Sequence, residues 1–310
     1  MNQNLAFFFP GQGSQAKGML GDFLLTEKVV QATFQEASDV LGYDMQALVL
    51  ENNEEKLDQT EFTQPALLTA STALFRAWQA RHGENAAHMA GHSLGEYSAL
   101  VAAGVLEFSD AVALVSFRGQ VMTSAVPDGL GKMAAIIGLN DDIVAALCGK
   151  ASIDGDNVWP ANFNCPGQLV VAGCAAAVER LMALAKDAGA RRALPLAVSA
   201  PSHTPLMQPA ADAIQEKLAG LMLHIPTCSV WSNARACALT AVDDIRAALV
   251  EQLVSPVRWT ETVQLMAQKG VTSGVEMGPG KVLSGLIRRI DKNINVASVL
   301  TPESMDKVIS

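Results

Sequence analysis

The chain alternates short, wholly apolar runs with longer stretches in which apolar residues recur every three or four positions. Residues 5–9 (Leu-Ala-Phe-Phe-Phe) and 86–90 (Ala-Ala-His-Met-Ala) are of the first kind. Runs of that length fit strands buried on both faces, as in a parallel sheet covered by helices. The helical period marks residues 20–41, 65–82, 94–103 and 109–124, and later 205–221 and 242–253. The stretch 65–82 (PALLTASTALFRAWQARH) carries Pro65 where a helix tolerates it, in the first turn. Gly104 stands where the helix 94–103 should stop.

The texture changes at Val126-Pro127-Asp128-Gly129-Leu130-Gly131, whose glycines and proline mark a boundary. Beyond it the pattern predicts a strand at 132–138 and a helix at 141–149 behind an Asn or Asp cap. Strands follow at 157–163 and 168–173, joined by the turn Asn164-Cys165-Pro166-Gly167, then a helix at 175–188 and a strand at 192–198. The order β-α-β-β-α-β is ferredoxin-like. The expectation is an α/β chain with a parallel-sheet core at 1–127 and 199–310, interrupted by a small subdomain at 128–198. No internal repeat or low-complexity linker is visible.

Composition narrows the classes. A chain of 310 residues buries a large core. Half of its residues are hydrophobic (50%), yet no apolar run approaches the ~18 residues of a membrane span. The N-terminus lacks the basic region and apolar length of a signal peptide. The net charge of −9 argues against nucleic-acid and anionic-membrane partners. The 5 cysteines are odd in number and form no C-x-x-C pair, which suits a reducing cytoplasm. No Cys/His cluster has zinc-ligand spacing, so no metal is expected.

The chemistry concentrates at Gly91-His92-Ser93-Leu94-Gly95. The G-x-S-x-G pattern between a strand and a helix is that of a nucleophile elbow, with Ser93 on the tight turn. The alternative is a glycine-rich turn with Ser93 capping a helix. A serine nucleophile needs a base, and His82, His88, His92, His203 and His224 are the candidates. His82 closes a helix, and His88 lies on the preceding strand. His92 leaves the turn in another direction, and His224 sits in a surface-like stretch. His203, in Ser199-Ala200-Pro201-Ser202-His203-Thr204-Pro205, remains either the base or a polar residue at a helix start. The loop Phe9-Pro10-Gly11-Gln12-Gly13-Ser14-Gln15 follows the first strand and offers the Gln12 N–H as an oxyanion donor. It lacks the G-K-[ST] of a phosphate loop. Arg118, inside an otherwise apolar helix, is either a snorkelling surface residue or a fork for a substrate carboxylate.

Together these segments resemble the malonyl-CoA:acyl carrier protein transacylases of bacterial fatty-acid synthesis. The resemblance is carried by Phe9-Pro10-Gly11-Gln12-Gly13-Ser14-Gln15, Thr63-Gln64-Pro65-Ala66, Gly91-His92-Ser93-Leu94-Gly95-Glu96-Tyr97 and Arg118-Gly119. Asn162-Phe163-Asn164-Cys165-Pro166-Gly167-Gln168, Pro201-Ser202-His203 and Glu276-Met277-Gly278-Pro279-Gly280 continue it, in order over nearly the whole chain. Cys165 stands where a serine is common and Met277 where a β-branched residue is frequent.

The resemblance implies an α/β-hydrolase-like core with an inserted ferredoxin-like subdomain. It implies ping-pong transfer of malonyl from malonyl-CoA to the phosphopantetheine thiol of holo acyl carrier protein, with no cofactor. Ser93 would be the nucleophile and His203 the base. The N–H groups of Gln12 and Leu94 would form the oxyanion hole, and Arg118 would bind the malonyl carboxylate. The backbone carbonyl near Gln252 would orient the histidine, in place of a triad acid such as Glu251. A monomer is expected. An acidic carrier needs a basic landing surface, for which Lys281, Arg288, Arg289 and Lys292, with Arg191 and Arg192, are the candidates.

Overall fold

The computed structural model describes residues 1–198 and 200–310, without the side chain of Glu54. Ser199, where the core is expected to resume, lies outside the described residues. The strands are β1 (Asn2–Phe9), β2 (Ala86–Gly91), β3 (Gly131–Ile137), β4 (Val158–Cys165), β5 (Gln168–Cys174), β6 (Arg192–Pro195), β7 (Ser229–Trp231), β8 (Ala238–Leu239), β9 (Ser273–Glu276) and β10 (Asn295–Ser298). They form two sheets.

The larger sheet has the order β10-β9-β1-β2-β7-β8. All its pairings are parallel except β7 with β8. Its centre, β1, shows why the apolar run is unbroken. Phe7 packs edge-on against Phe75 and Trp78 on one face, with ring centroids 5.9 and 5.6 Å away. Phe8 turns to the other face and meets Trp259 at 6.0 Å. Successive strand residues point to opposite faces, so a sheet covered on both sides makes every position apolar. β1 and β2 end level, with Phe9 paired to Gly91. The loops after both strands therefore open at the carboxyl edge of the sheet, where open α/β sheets place their ligands.

The smaller sheet is antiparallel, in the order β4-β5-β3-β6. Helices Asp141–Ala151 and Ala175–Asp187 cover one face, around Ile136, Leu169, Val171 and Leu181. The order and connections are those of a ferredoxin-like unit. Two backbone hydrogen bonds tie it to the core. Phe163 N donates to Val257 O at 2.9 Å, and Val257 N donates to Ala161 O at 2.8 Å. The fold class is thus α/β, with an α/β-hydrolase-like parallel-sheet core and an inserted ferredoxin-like subdomain.

Several boundaries differ from expectation for identifiable reasons. The helix expected at 20–41 is two, Gly21–Thr26 and Lys28–Leu41. Glu27 between them is extended, and its carboxylate pairs with Arg81 at 2.7 Å. The helix expected from Pro65 begins a turn earlier, as Thr60–Ala80. That extra turn crosses helix Phe108–Ser124 at Gly119, where a Cβ would strike the Thr60–Glu61 backbone. Contact with a neighbouring helix holds it in place where the proline rule would have started it later. β4 runs on to Cys165, so its turn is only Pro166-Gly167, with Gly167 at φ 74°. β6 stops at Pro195, which cannot donate to a ladder. The helix expected at 205–221 starts as a 3₁₀ turn, Pro205–Met207, and continues as Gln208–Ala219.

Candidate active site

The elbow turns at the carboxyl end of β2. Ser93 has φ 51°, left-handed for a non-glycine residue. A Cβ at Gly91 would fall on the backbone of Gly95, and a Cβ at Gly95 would fall on the Phe9 carbonyl at the end of β1. Both glycines are therefore required for helix Gly95–Ala102 to sit so close to the sheet. Asn233, just past β7, clamps the turn from both sides. Its Oδ1 accepts from Ser93 N at 2.6 Å and its Nδ2 donates to Gly91 O at 2.6 Å.

His203 reaches the elbow from 110 residues downstream, with Nε2 2.8 Å from Ser93 Oγ. Its Nδ1 lies 2.8 Å from the main-chain carbonyl of Gln252. A carbonyl only accepts, so Nδ1 carries the proton and Nε2 presents its lone pair to the serine hydroxyl. Burial, with the Arg118 guanidinium next in weight, pushes the imidazole down to about 3. The neutral form, which can take a proton, is thereby the resting form. Glu251 faces away and pairs with Arg235 at 2.7 Å.

Arg118 is buried, not snorkelling; it is 1% exposed. Nη1 donates to Gln64 Oε1 at 2.8 Å and Nη2 to Gln252 Oε1 at 2.9 Å, while Nη2 lies 3.5 Å from Ser93 Oγ. The Tyr97 ring lies 5.3 Å from the guanidinium carbon. Its Nε–H has no partner among the described residues. A buried guanidinium held by neutral amides, with no carboxylate hydrogen-bonded to it, is suited to an anionic ligand.

Gln12, Ser93, Leu94, Arg118 and His203 line one cavity of about 120 Å³, together with Met133, Leu196 and Val198 from the subdomain side. No hydrogen bond engages the Gln12 or Leu94 N–H among the described residues. His92 indeed leaves the turn in another direction. Its ring lies 5.6 Å from that of Trp259, and its Nε2 donates to Asn164 Oδ1 at 2.8 Å. His88 instead accepts from Trp231 Nε1 at 3.4 Å. Among the described residues no group of three or more His, Cys, Asp or Glu side chains could hold a metal ion. No helix there is long and apolar enough to cross a membrane.

Three polar residues of this site escaped the sequence reading of roles: Gln64, Glu96 and Asn233. Glu96 is 2% exposed, and burial raises its carboxyl to about 7. Gln64 and Glu96 do stand inside the quoted segments, which was the only signal for them. Asn233 left none.

A serine and histidine paired at a nucleophile elbow, on such a core with such an insert, define the acyltransferase class of this fold. Residues 6–305 match the family model described as acyl transferase domain. Over 300 residues the chain is 53% identical to the malonyl CoA-acyl carrier protein transacylase of Escherichia coli (strain K12), with 97% of each chain covered. An acyl carrier protein S-malonyltransferase from Vibrio cholerae O1 superposes with a TM-score of 0.96 at 53% identity, covering 98% of this chain and 99% of that one. A malonyl-transacylase solved in complex with its type II PKS acyl-carrier protein gives a TM-score of 0.97 at 49% identity, with 99% of both chains covered. The chain belongs to the acyl transferase domain family, among the malonyl CoA-acyl carrier protein transacylases.

The depressed basicity of His203 is directly measurable. Its folded-state value lies below the ordinary 6.5, so the ring stays neutral as pH falls through 6.5 and protonates only near 3. The His203 imidazole resonances should hold their neutral positions from pH 8 to about 5 in an NMR titration. A midpoint near 6.5 would contradict the assignment.

Proposed function

We propose that the protein transfers malonyl from malonyl-CoA to the phosphopantetheine thiol of acyl carrier protein through a malonyl ester on Ser93. The observation that carries this reading is the Ser93–His203–Gln252 carbonyl relay with the buried Arg118 guanidinium 3.5 Å from the serine oxygen. In the first half-reaction Ser93 Oγ attacks the thioester carbon as its proton passes to His203 Nε2. The tetrahedral oxyanion receives the N–H groups of Gln12 and Leu94, a pair worth ~10²–10³ in rate per donor. The C–S bond breaks, and the proton on His203 goes to the departing coenzyme A thiolate. In the second half His203 takes the proton of the carrier thiol, whose sulfur attacks the ester. The Ser93 oxygen leaves and recovers a proton from His203. The imidazolium formed in between is stabilised by the Gln252 carbonyl that accepts from Nδ1. No metal or organic cofactor enters these steps, and the substrates supply the activated acyl group.

Arg118 sets the acyl choice. Malonyl presents a carboxylate to the guanidinium, whereas acetyl leaves a buried cation without that partner. The proposed division of the chain, core 1–127 and 199–310 around an insert 128–198, puts this residue and the nucleophile on the core. We place the enzyme in the cytoplasm, as a monomer; its cysteines are all free.

The acidic carrier would land on cationic side chains. Lys281, Arg288 and Lys292 line one groove beside β10. Arg289 faces the insert and donates to Gln168 Oε1 at 2.6 Å, so it serves the domain contact first.

Intact-protein mass spectrometry after brief exposure to malonyl-CoA should show one malonyl adduct, absent in Ser93→Ala and removed by holo acyl carrier protein. An adduct that persists in Ser93→Ala overturns the nucleophile assignment. Arg118→Ala should lower kcat/KM for malonyl-CoA by roughly 10²-fold or more, the loss expected when a buried charged hydrogen-bond donor is removed, and leave acetyl transfer equal or higher. Equal losses for both substrates would remove the carboxylate role. Charge reversal at Lys281, Arg288 and Lys292 should raise KM for the carrier several-fold and leave that for malonyl-CoA unchanged. A carrier KM that does not move rejects this face as the landing site.

A further inference from the structure

The proposed mechanism uses the main-chain carbonyl of Gln252, but the side chain of the same residue is also fully engaged. Its Oε1 accepts from Arg118 Nη2 at 2.9 Å. Its Nε2 donates to the Ser93 carbonyl at 3.0 Å and to Glu96 Oε2 at 2.7 Å. Arg118 only donates, and the Ser93 carbonyl only accepts. The amide therefore has one workable orientation, and Glu96 is the acceptor that completes it. The same Glu96 oxygen accepts the backbone N–H of Asn233 at 3.0 Å, the residue that clamps the elbow. Glu96 lies on the first turn of the elbow helix and is buried, so water does not compete for these bonds.

We infer that Glu96 is a positioning residue for acyl selection, holding the Gln252 amide so that its oxygen aims the Arg118 guanidinium at the substrate carboxylate. Glu96 itself touches no substrate atom in this scheme. Its action runs through Gln252 to Arg118, and it rests on the reading of Arg118 as the carboxylate holder. A methionine at position 96 keeps roughly the volume but removes the acceptor, whereas a glutamine can turn its own carbonyl oxygen to the place of Oε2 and keep both bonds. With methionine there, the Gln252 and Asn233 N–H groups lose their shared acceptor, and nothing at this position holds the Gln252 amide against turning. A turned amide offers Arg118 an N–H group where it needs an oxygen, and the fork loses its aim. Acetyl transfer makes no use of that aim.

The test is the ratio of kcat/KM for malonyl-CoA to that for acetyl-CoA, with holo acyl carrier protein as acceptor. Glu96→Met should lower this ratio about tenfold, the usual effect of losing a hydrogen bond to a charged group. The fall should come chiefly through KM for malonyl-CoA. Gln252→Met cuts the same link on its other side while keeping the main-chain carbonyl, and should lower the ratio likewise, so the inference stands or falls even if Glu96→Met does not fold. An unchanged ratio, or equal losses for both substrates, overturns the inference, because a purely structural role would scale both alike. Arg118→Ala measured beside them separates the two levels. If it moves the ratio and the other variants do not, only the role of Glu96 fails. If it leaves the ratio unchanged, the carboxylate reading fails as well.

Discussion

The constraint on which the rest of the structure depends is the close seating of helix Gly95–Ala102 on the end of β1. Only glycine fits at positions 91 and 95, and the chain between them must make a turn that leaves Ser93 left-handed at φ 51°. Such a residue costs about 1–3 kcal/mol and persists only if its surroundings fix it. The turn takes the Ser93 backbone out of the sheet ladder, so its N–H and carbonyl must be satisfied otherwise. Asn233 supplies an acceptor for the N–H, and Gln252 joins the Glu96 N–H as a second donor to the carbonyl. That requirement reaches far along the chain. β7 has to lie beside β2 to deliver Asn233, and helix Val242–Val254 has to end at the elbow to deliver Gln252.

A second constraint is the burial of one guanidinium. Taking a cation out of water costs several kcal/mol unless polar partners replace the lost solvation. Here two amide oxygens and an aromatic face do so, with the Glu96 carboxylate one amide further out. The arrangement solvates the charge and still leaves it able to accept an anionic substrate group. The same charge acts on the base. After burial, it is the Arg118 field that holds His203 neutral. On the proposed reading, acyl selection and the protonation state of the base are thus coupled through one residue, with Gln252 in contact with both Arg118 and His203.

The legible part of the sequence was that in which local pattern and tertiary demand coincide. The run 5–9 reads as a strand because both faces of β1 are covered. The elbow reads as such because its glycines answer a steric demand that no other residue meets. His203 could be reached by setting aside histidines with other placements. The ferredoxin-like insert followed from six elements in order, although β6 proved shorter and β4 longer than the pattern suggested. Other features depend on distant neighbours and leave no local trace. Glu27 breaks a helical stretch on the side where Arg81 waits. Thr60 starts a helix five residues before its proline because Gly119 lets the crossing helix approach. Asn233 follows a strand of only 3 residues, too short for any periodicity. Gln252 has an unremarkable place in a helix, and both its carbonyl and its amide matter only through what folding brings beside them.

The insert is part of the site and not an appendage to it. Its open face supplies Met133, and the segment after β6 supplies Leu196 and Val198, as the apolar wall opposite Ser93. Its β4 is held to the core at Val257, and Asn164 at the end of that strand holds His92 beside the nucleophile. An ester on Ser93 would therefore sit between a polar floor on the core and an apolar wall from the insert. Attack by water needs a general base and a place for the water to stand. The base is present, but the side chains of Met133, Leu196 and Val198 on the facing wall offer a water no hydrogen bond to hold it in line. A thiol at the end of a long, thin arm, delivered by a docked protein, meets the same constraint differently. It brings its own binding energy from surfaces outside the cavity and spends it on entering. A preference for transfer over hydrolysis would then follow from the apolar wall facing the elbow, which the backbone bonds at Val257 keep in register.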